Sequence, residues 1–459
     1  MTAADALLWN IERDPVLRTT ITAVALLDRA PDWDRLVATL TRGAIEVPRL
    51  RQKVVVPPLG LAPPEWVEDP DFDLAYHLRR VRAPAPGTLR SVLDAAGPLS
   101  MAGFDRTRPL WEFTLFEDLE GGRAAFVQKL HHSIADGVGG IRLAAAMLDL
   151  ERDPAAAPAP SLPTARPFSV GDLARRRAER RVRGVARAVT LAPARLAGLA
   201  TAGRHPLAAV RDFRTMMASA ARLLAPAGPT SALLAGRTLG RRFDTLEVPL
   251  DALKDAAHAA GCTVNGALLA AVVGGADRYH EKHGAAAEHV RVDMPVNLRG
   301  DDDPEAGNRF APTRFTLPLG IHDPVERMRV VGAIADRWRA EPALALSDVL
   351  ASALNALPRP VTTGVFASML KGVDLTITNV PGIPLPVFLA GAEVLREWAL
   401  APPSGAALSV ALLSHLDTAC IGVVCDTGAV HDVDGFVACL VDGFDEVLGG
   451  RGVTRLCSA

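Results

Sequence analysis

Two adjacent histidines followed by an acid and a glycine form the segment of this 459-residue chain best equipped for chemistry: His131-His132-Ser133-Ile134-Ala135-Asp136-Gly137. Imidazole is the side chain whose ordinary pKa lies nearest neutrality, so a histidine can accept a proton and return it within one turnover. That property suits a base that removes the proton from an alcohol or thiol as it attacks a carbonyl. Neighbouring residues at a strand end project to opposite faces, so the two rings do opposite jobs. One points into a cleft while the other is fixed against the core. A single metal held by both is awkward for the same reason, and no third ligand stands at a recognisable spacing, so no metal is expected. Asp136 could orient the ring of His132. A structural role is favoured instead, with Arg49 or Arg51 as the ion-pair partner, because an acid just before Gly137 at a helix start is placed to cap and to pair. The plain alternative is a pair of satisfied core histidines, and Asp136-Gly137 at this spacing argues against it.

The elements that position this segment are legible from periodicity. Residues Thr19–Leu27 are rich in β-branched types and read as a strand, and Trp33–Leu40 reads as a helix packed on it. The proline-rich stretch Leu50–Gly87 reads as an ordered crossing without regular structure. Ser91–Leu99 reads as a helix, Trp111–Phe116 and Ala124–Leu130 as strands around Gly121-Gly122, and Gly137–Leu150 as a helix. The two histidines therefore fall where a strand ends and a helix is about to begin. The run Ala155–Pro163 reads as a linker. Beyond it, Asp172–Arg214 interleaves Arg175, Arg176, Arg177, Arg180 and further arginines with Val, Ala and Leu, a local basic helix. It either lies solvated across two domains or contacts an anionic membrane surface. A second series follows: helices at Asp251–Ala260, Asn265–His280, Asp323–Arg339 and Asp434–Leu448, and strands at Val290–Pro295, Leu375–Asn379, Glu393–Trp398, Ala407–Leu413 and Thr418–Cys425. Strands and helices alternate in both halves. The expected organisation is two α/β domains, residues 1–150 and 243–459, joined by a linker and basic connection over 151–242.

Composition narrows the function. With 50 Lys+Arg against 52 Asp+Glu the net charge is -2, so binding to nucleic acid by bulk electrostatics is disfavoured. At 49% hydrophobic and 22% charged the chain is too apolar for disorder. Five cysteines, Cys262, Cys420, Cys425, Cys439 and Cys457, lack CxxC spacing, which points away from a zinc site or a disulfide framework. Early charges at Asp5, Glu12, Arg13 and Asp14 leave no room for a signal peptide, and prolines interrupt the long uncharged runs near Leu375–Ala392 and Trp398–Leu416. A cytoplasmic protein is expected.

The HHxxxDG pattern resembles the CoA-dependent acyltransferase superfamily of chloramphenicol acetyltransferase and the peptide-synthetase condensation domains. More particularly the chain resembles the bacterial wax ester synthase/diacylglycerol acyltransferases. Supporting segments are Val47-Pro48-Arg49-Leu50-Arg51-Gln52, Phe72-Asp73-Leu74 with His77, Arg108-Pro109-Leu110-Trp111-Glu112, Met294-Pro295-Val296-Asn297-Leu298-Arg299 and Thr378-Asn379-Val380-Pro381-Gly382. The resemblance implies two chloramphenicol-acetyltransferase-like domains with a tunnel and active site between them. It implies that His132 is the general base, taking the proton from the hydroxyl of a diacylglycerol or long-chain alcohol that attacks an acyl-CoA thioester. His131 and Asp136 are then architectural, and Gly137 allows a tight backbone. Pro109, Leu110 and Trp111 would shape the acyl pocket, or simply pack at a strand start. Asn265, Asn297 and Asn379 are carried over as substrate-binding residues. Acyl-CoA is a substrate, and no cofactor is implied.

A thioester is already activated, so the catalyst needs a base, an oxyanion donor and two reactants held in line. Candidate oxyanion donors are the backbone N–H groups near Gly137 and the side chain of Asn297. The chain departs from the family in having Asn265-Gly266 where Asn-Asp is common, and Ser414-His415 where Tyr often follows Ser. Neither departure touches His132, so activity is expected to survive with an altered acceptor preference. Two other readings share the motif: condensation-like transfer to an amine, thiol or polyketide hydroxyl, and a non-catalytic lipid-binding relative. The partners expected are acyl-CoA and a diacylglycerol or fatty alcohol, with a peripheral membrane or lipid-droplet surface and no nucleic acid.

Overall fold

The structure, a computed structural model, describes all residues except 58–62, 135–136, 156–160, 166–170, 173–174, 176–178, 180–205, 227, 298–309, 343, 345–346 and 457–459. The first half carries α1 (Ala3–Ile11), β1 (Thr20–Leu27), α2 (Trp33–Glu46), β2 (Gln52–Val55), β3 (Glu65–Glu68), α3 (Leu74–His77), β4 (Leu78–Arg82), α4 (Leu89–Met101), β5 (Trp111–Leu119), β6 (Arg123–His131) and α5 (Gly137–Met147). Then follow α6 (Pro206–Leu224), β7 (Arg241–Pro249), α7 (Leu250–Ala260), α8 (Val264–Lys282), β8 (His289–Asn297), β9 (Phe310–Pro318), α9 (Pro324–Arg339), α10 (Ser347–Asn355), α11 (Arg359–Leu370) and β10 (Leu375–Val380). The chain closes with β11 (Phe388–Leu389), β12 (Ala392–Leu400), β13 (Leu408–His415), β14 (Thr418–Asp426), α12 (Val433–Leu448) and β15 (Thr454–Arg455).

Two large mixed sheets organise these elements. The first has six strands in the order β11-β12-β1-β6-β5-β4, and the second has seven in the order β15-β7-β14-β13-β10-β8-β9. The first-sheet helices start on side-chain caps: Asp32 accepts from the N–H of Arg35 before α2, and Thr88 from that of Ser91 before α4. Helix α2 then turns Leu36, Leu40 and Ala44, spaced one helical turn apart, onto a core with Leu27, Trp111, Phe113 and Phe126. In the second half α7, α8, α9 and α12 cover one face of the second sheet, where Leu268, Val272, Val292, Ile377 and Phe436 are buried together.

The strand expected at Glu393–Trp398 is present as β12, but it pairs antiparallel with β1, Val24 opposite Trp398 and Ala25 opposite Glu397. The C-terminal half thus completes the first sheet, and the sheets do not divide at one point in the chain. A third core made of Val24, Leu93, Trp398, Phe243 and Val424 joins them. Several elements escaped the sequence reading, among them α1, β7, α10 and α11 and four strands with a local reason for it. In β4 four of five residues are exposed, three of them arginine, because it is the edge strand and shows no alternation. In β9 Pro312 sits opposite Pro295, and the edge position tolerates the missing N–H. The strands β2 and β3 form a separate hairpin-sized sheet inside the stretch read as irregular. Most of the basic run 172–214 lies outside the described residues; Arg175 is exposed and pairs with Asp172 at 3.3 Å, and α6 begins at Pro206.

The contact between β12 and β14 is unusually close. A Cβ on Gly422 of β14 would stand 2.1 Å from the carbonyl oxygen of Ala399. Gly422→Ala should therefore force the sheets apart and cost about 1–3 kcal/mol, lowering the melting temperature by several degrees. An unchanged thermal unfolding curve would show that this approach does not hold the halves together.

Candidate active site

The paired histidines sit where the fold places a strand end against the centre of a sheet. Along β6, Leu130 lies opposite Ile21 and His131 opposite Thr20, so β1 fixes their register. The backbone N–H of His131 donates to the carbonyl of Leu110 at 3.0 Å, and that of His132 donates to the carbonyl of Thr19 at 3.1 Å. The two rings differ as the alternation requires. His131 is buried, whereas His132 is half-buried.

His131 is held by both ring nitrogens. The backbone N–H of Ser133 donates to Nδ1 at 3.0 Å, and the Ser133 hydroxyl lies 2.7 Å from the same atom. Nδ1 is therefore an acceptor, and the ring proton sits on Nε2, 3.1 Å from Oε1 of Glu12. Glu12 also accepts from the backbone N–H of Thr19 at 2.9 Å and from its hydroxyl at 3.1 Å. Burial pushes the Glu12 carboxyl up, but the facing His131 ring and the hydrogen bonds from the backbone N–H and hydroxyl of Thr19 outweigh it and bring it down to about 2. The rings of Trp9 and Phe104 flank His131 at 6.1 and 6.3 Å.

Arg49, expected as a partner for Asp136, pairs with buried Asp5 at 3.4 Å and donates to the carbonyl of Ser133. It therefore braces the turn after the histidines. Arg51 is occupied elsewhere, with Glu68 at 3.0 Å and the carbonyl of Ala44 at 2.7 Å. Asp136 itself lies outside the described residues, and Gly137 opens α5.

Pro109, Leu110 and Trp111 are buried in the core behind the histidines. The Trp111 indole donates to the carbonyl of Leu50 at 2.8 Å and stacks on His77 at 4.5 Å, while His77 Nδ1 donates to the carbonyl of Trp111 at 2.7 Å. Here the segment packs and carries the carbonyl that anchors His131. Asn265 and Asn379 come together: the Asn379 amide donates to Oδ1 of Asn265 at 2.8 Å. They line a cavity of about 370 Å³ with Leu268, Met294, Thr378 and Arg339. Asn297 is the last residue of β8, the strand that supplies Met294.

The two departures acquire physical reasons. At Gly266 a Cβ would lie 3.1 Å from the Cys262 sulfur and 3.4 Å from the Cα of Gly332, so a side chain there requires Cys262 to give by a few tenths of an ångström. His415 is buried and its Nε2 donates to the carbonyl of Val394 at 2.9 Å, which ties β13 to β12.

A fold of two such sheets with an HHxxxDG turn is that of the chloramphenicol-acetyltransferase-like acyltransferases and condensation domains. The wax ester synthase/diacylglycerol acyltransferase of Marinobacter aquaeolei VT8 superposes over 97% of each chain with a TM-score of 0.64 at 22% identity. The first condensation domain of the CDA synthetase does so over 99% of this chain and 97% of its own, with a TM-score of 0.57 at 18% identity. Residues 1–268 match the wax ester synthase/diacylglycerol acyltransferase catalytic domain and residues 306–447 the C-terminal domain of the same family, so the chain belongs to that family of acyltransferases. A Mycobacterium tuberculosis (strain H37Rv) protein whose name assigns it diacylglycerol O-acyltransferase activity is 38% identical over 98% of this chain and 91% of its own.

The buried carboxylate of Glu12 has a measurable signature. Its folded pKa of about 2 lies below the ordinary 4.5, so its contribution is present above about pH 4.5 and is lost as pH falls toward 2. Glu12→Gln should be less stable than the parent by a few kcal/mol at neutral pH, and the gap should narrow as the solution is acidified. Urea unfolding across that range checks it; a gap independent of pH would mean the carboxylate is not charged against His131.

Proposed function

We propose that the protein transfers a long-chain acyl group from acyl-CoA to the free hydroxyl of diacylglycerol, making triacylglycerol, and accepts long-chain alcohols to make wax esters. The observation that carries this reading is the division of labour at the strand end: Glu12 and Ser133 fix both nitrogens of His131, and the next ring, His132, is the half-buried one. His132 takes the hydroxyl proton as the oxygen attacks the thioester carbonyl. The new C–O bond forms, the C–S bond breaks, and the proton passes to the departing CoA thiolate. No covalent acyl-enzyme is required. The N–H groups opening α5 near Gly137, or the Asn297 amide, stabilise the oxyanion. Donor and acceptor reach His132 from opposite sides through a tunnel between the two halves.

Release of free thiol from palmitoyl-CoA in the presence of diacylglycerol tests the reading. His132→Ala should lose about 10²- to 10⁴-fold in rate while keeping its melting temperature. Full activity in that variant would remove His132 from the chemistry. A panel of acceptors run with one donor separates the diacylglycerol and alcohol reading from transfer to amines or thiols.

Among the described residues no single helix is long and apolar enough to cross a membrane; α7 and α8 together have the length and composition but meet at 97°, and α8 is a buried core helix. We place the enzyme in the cytoplasm, meeting its lipid acceptor at an anionic membrane or droplet surface through the arginines of 172–214. Charge reversal at Arg175, Arg176 and Arg177 should weaken sedimentation with anionic vesicles and reduce its salt sensitivity. Unchanged partition would take the basic segment out of the account.

A further inference from the structure

The alternation that aims His132 also aims a strip of side chains behind it. On β6, Gln128 shares the face of His132 and lies opposite Ala23 of β1, which in turn lies opposite Ala399 of β12; Glu397 is opposite Ala25. Ile21, Ala23, Gln128, Glu397 and Ala399 are all half-buried, although β12, β1 and β6 are interior strands of their sheet. The next pair on this face, Ala25 and Phe126, is buried and closes the strip. Near that end the Gln128 amide donates to Oε1 of Glu397 across a long 3.5 Å. Among the described residues no cation pairs with Glu397 and its Oε2 makes no hydrogen bond. That oxygen still keeps accessible surface, unlike the sealed Thr22 Oγ1 and Trp398 Nε1 of the opposite face. Burial holds the Glu397 carboxyl above the usual carboxylate range, against the hydrogen bond from Gln128, so the space it faces is enclosed. A carboxyl biased toward its uncharged form donates as well as accepts. Four residues of strand separate Gln128 from His132, about 13 Å, which an extended hydrocarbon chain covers with about ten carbons. An unbroken apolar chain lying there would strip the carboxyl and the amide of water and return no hydrogen bond.

We infer that the strip walls a channel for a substrate's hydrocarbon chain, and that Glu397 with Gln128 selects a chain carrying a hydroxyl about ten carbons from the reacting end. The inference rests on the acyl transfer proposed above and names a preference within it. Glu397 is a specificity residue and takes no part in moving the proton. The chain belongs either to the thioester donor or to the alcohol acceptor, and the two sources are separated by experiment.

Thiol release by the full chain is compared in two arms. One arm sets stearoyl-CoA against its counterpart hydroxylated on the tenth carbon, with a fixed acceptor; the other sets decanol against the α,ω-decanediol, with palmitoyl-CoA as donor. The ratio of kcat/KM for the hydroxylated over the plain member should be about tenfold higher in the parent than in Glu397→Leu, in one arm only, and that arm identifies whose chain fills the channel. Glu397→Gln, which keeps a donor and an acceptor, should retain most of the preference. Gln128→Leu should lose part of it, and supplies the same comparison if Glu397→Leu does not fold. Equal ratios in the parent and the leucine variants in both arms overturn the inference. Calorimetric titration with the same pairs needs no turnover: a Glu397-dependent binding preference in a parent that releases no thiol from any pair keeps the channel and sinks the proposed activity, whereas thiol release without that preference does the reverse.

Discussion

One buried carboxylate fixes the first of two neighbouring imidazoles. Adjacent side chains at a strand end face opposite ways, but direction alone does not choose the tautomer or the state of either ring. Glu12 makes that choice for His131 by accepting its Nε2 proton, while the Ser133 backbone N–H occupies Nδ1. Thr19 adds two further donors to the same carboxylate and, through its carbonyl, holds the backbone of His132. The helix that brings Glu12, the strand that brings Thr19 and the turn that brings Ser133 therefore meet at one anion. Movement of any of them would be felt at the half-buried ring next door.

The larger architecture serves the same point. Strand β1 is central because β12 returns from the second half of the chain to lie on its other side, and a strand paired on both edges cannot slide without breaking two ladders. Gly422 lets β14 come close beneath that return strand, and His415 binds its backbone from β13. The two halves are thus locked around the strand that sets the register of the histidines.

Much of this was legible in the sequence, and what was not has physical reasons. Although α1, α10, α11 and β7 were not read, the helices α2, α4, α7, α8, α9 and α12, the strands β1, β5, β6, β10 and β12–β14, and the placement of His131 and His132 at a strand end follow from periodicity. The strands β4 and β9 do not, since edge positions carry arginines and prolines that erase alternation. That Glu393–Trp398 is a strand could be read; that it pairs with β1 could not, because nothing local distinguishes one sheet's partner from another's. The histidine pair announced itself by spacing, whereas Glu12 lies far along the chain from His131 and gave no signal. Arg49 or Arg51 was expected to pair with Asp136, whereas Arg49 pairs with Asp5 and donates to the carbonyl of Ser133, a contact between distant segments that spacing does not reveal. Asn265 and Asn379 meet as one pair, while Pro109, Leu110 and Trp111 serve the core.

In the proposed reaction a single unprotonated imidazole, that of His132, drives direct transfer. The pH dependence of kcat/KM for thiol release tests it most directly. An acid limb governed by one ionisation is expected, with the rate falling tenfold per pH unit below it and no burst of thiol in the absence of acceptor. A rate independent of pH across about pH 5 to 8, or a stoichiometric burst of thiol without acceptor, would contradict it.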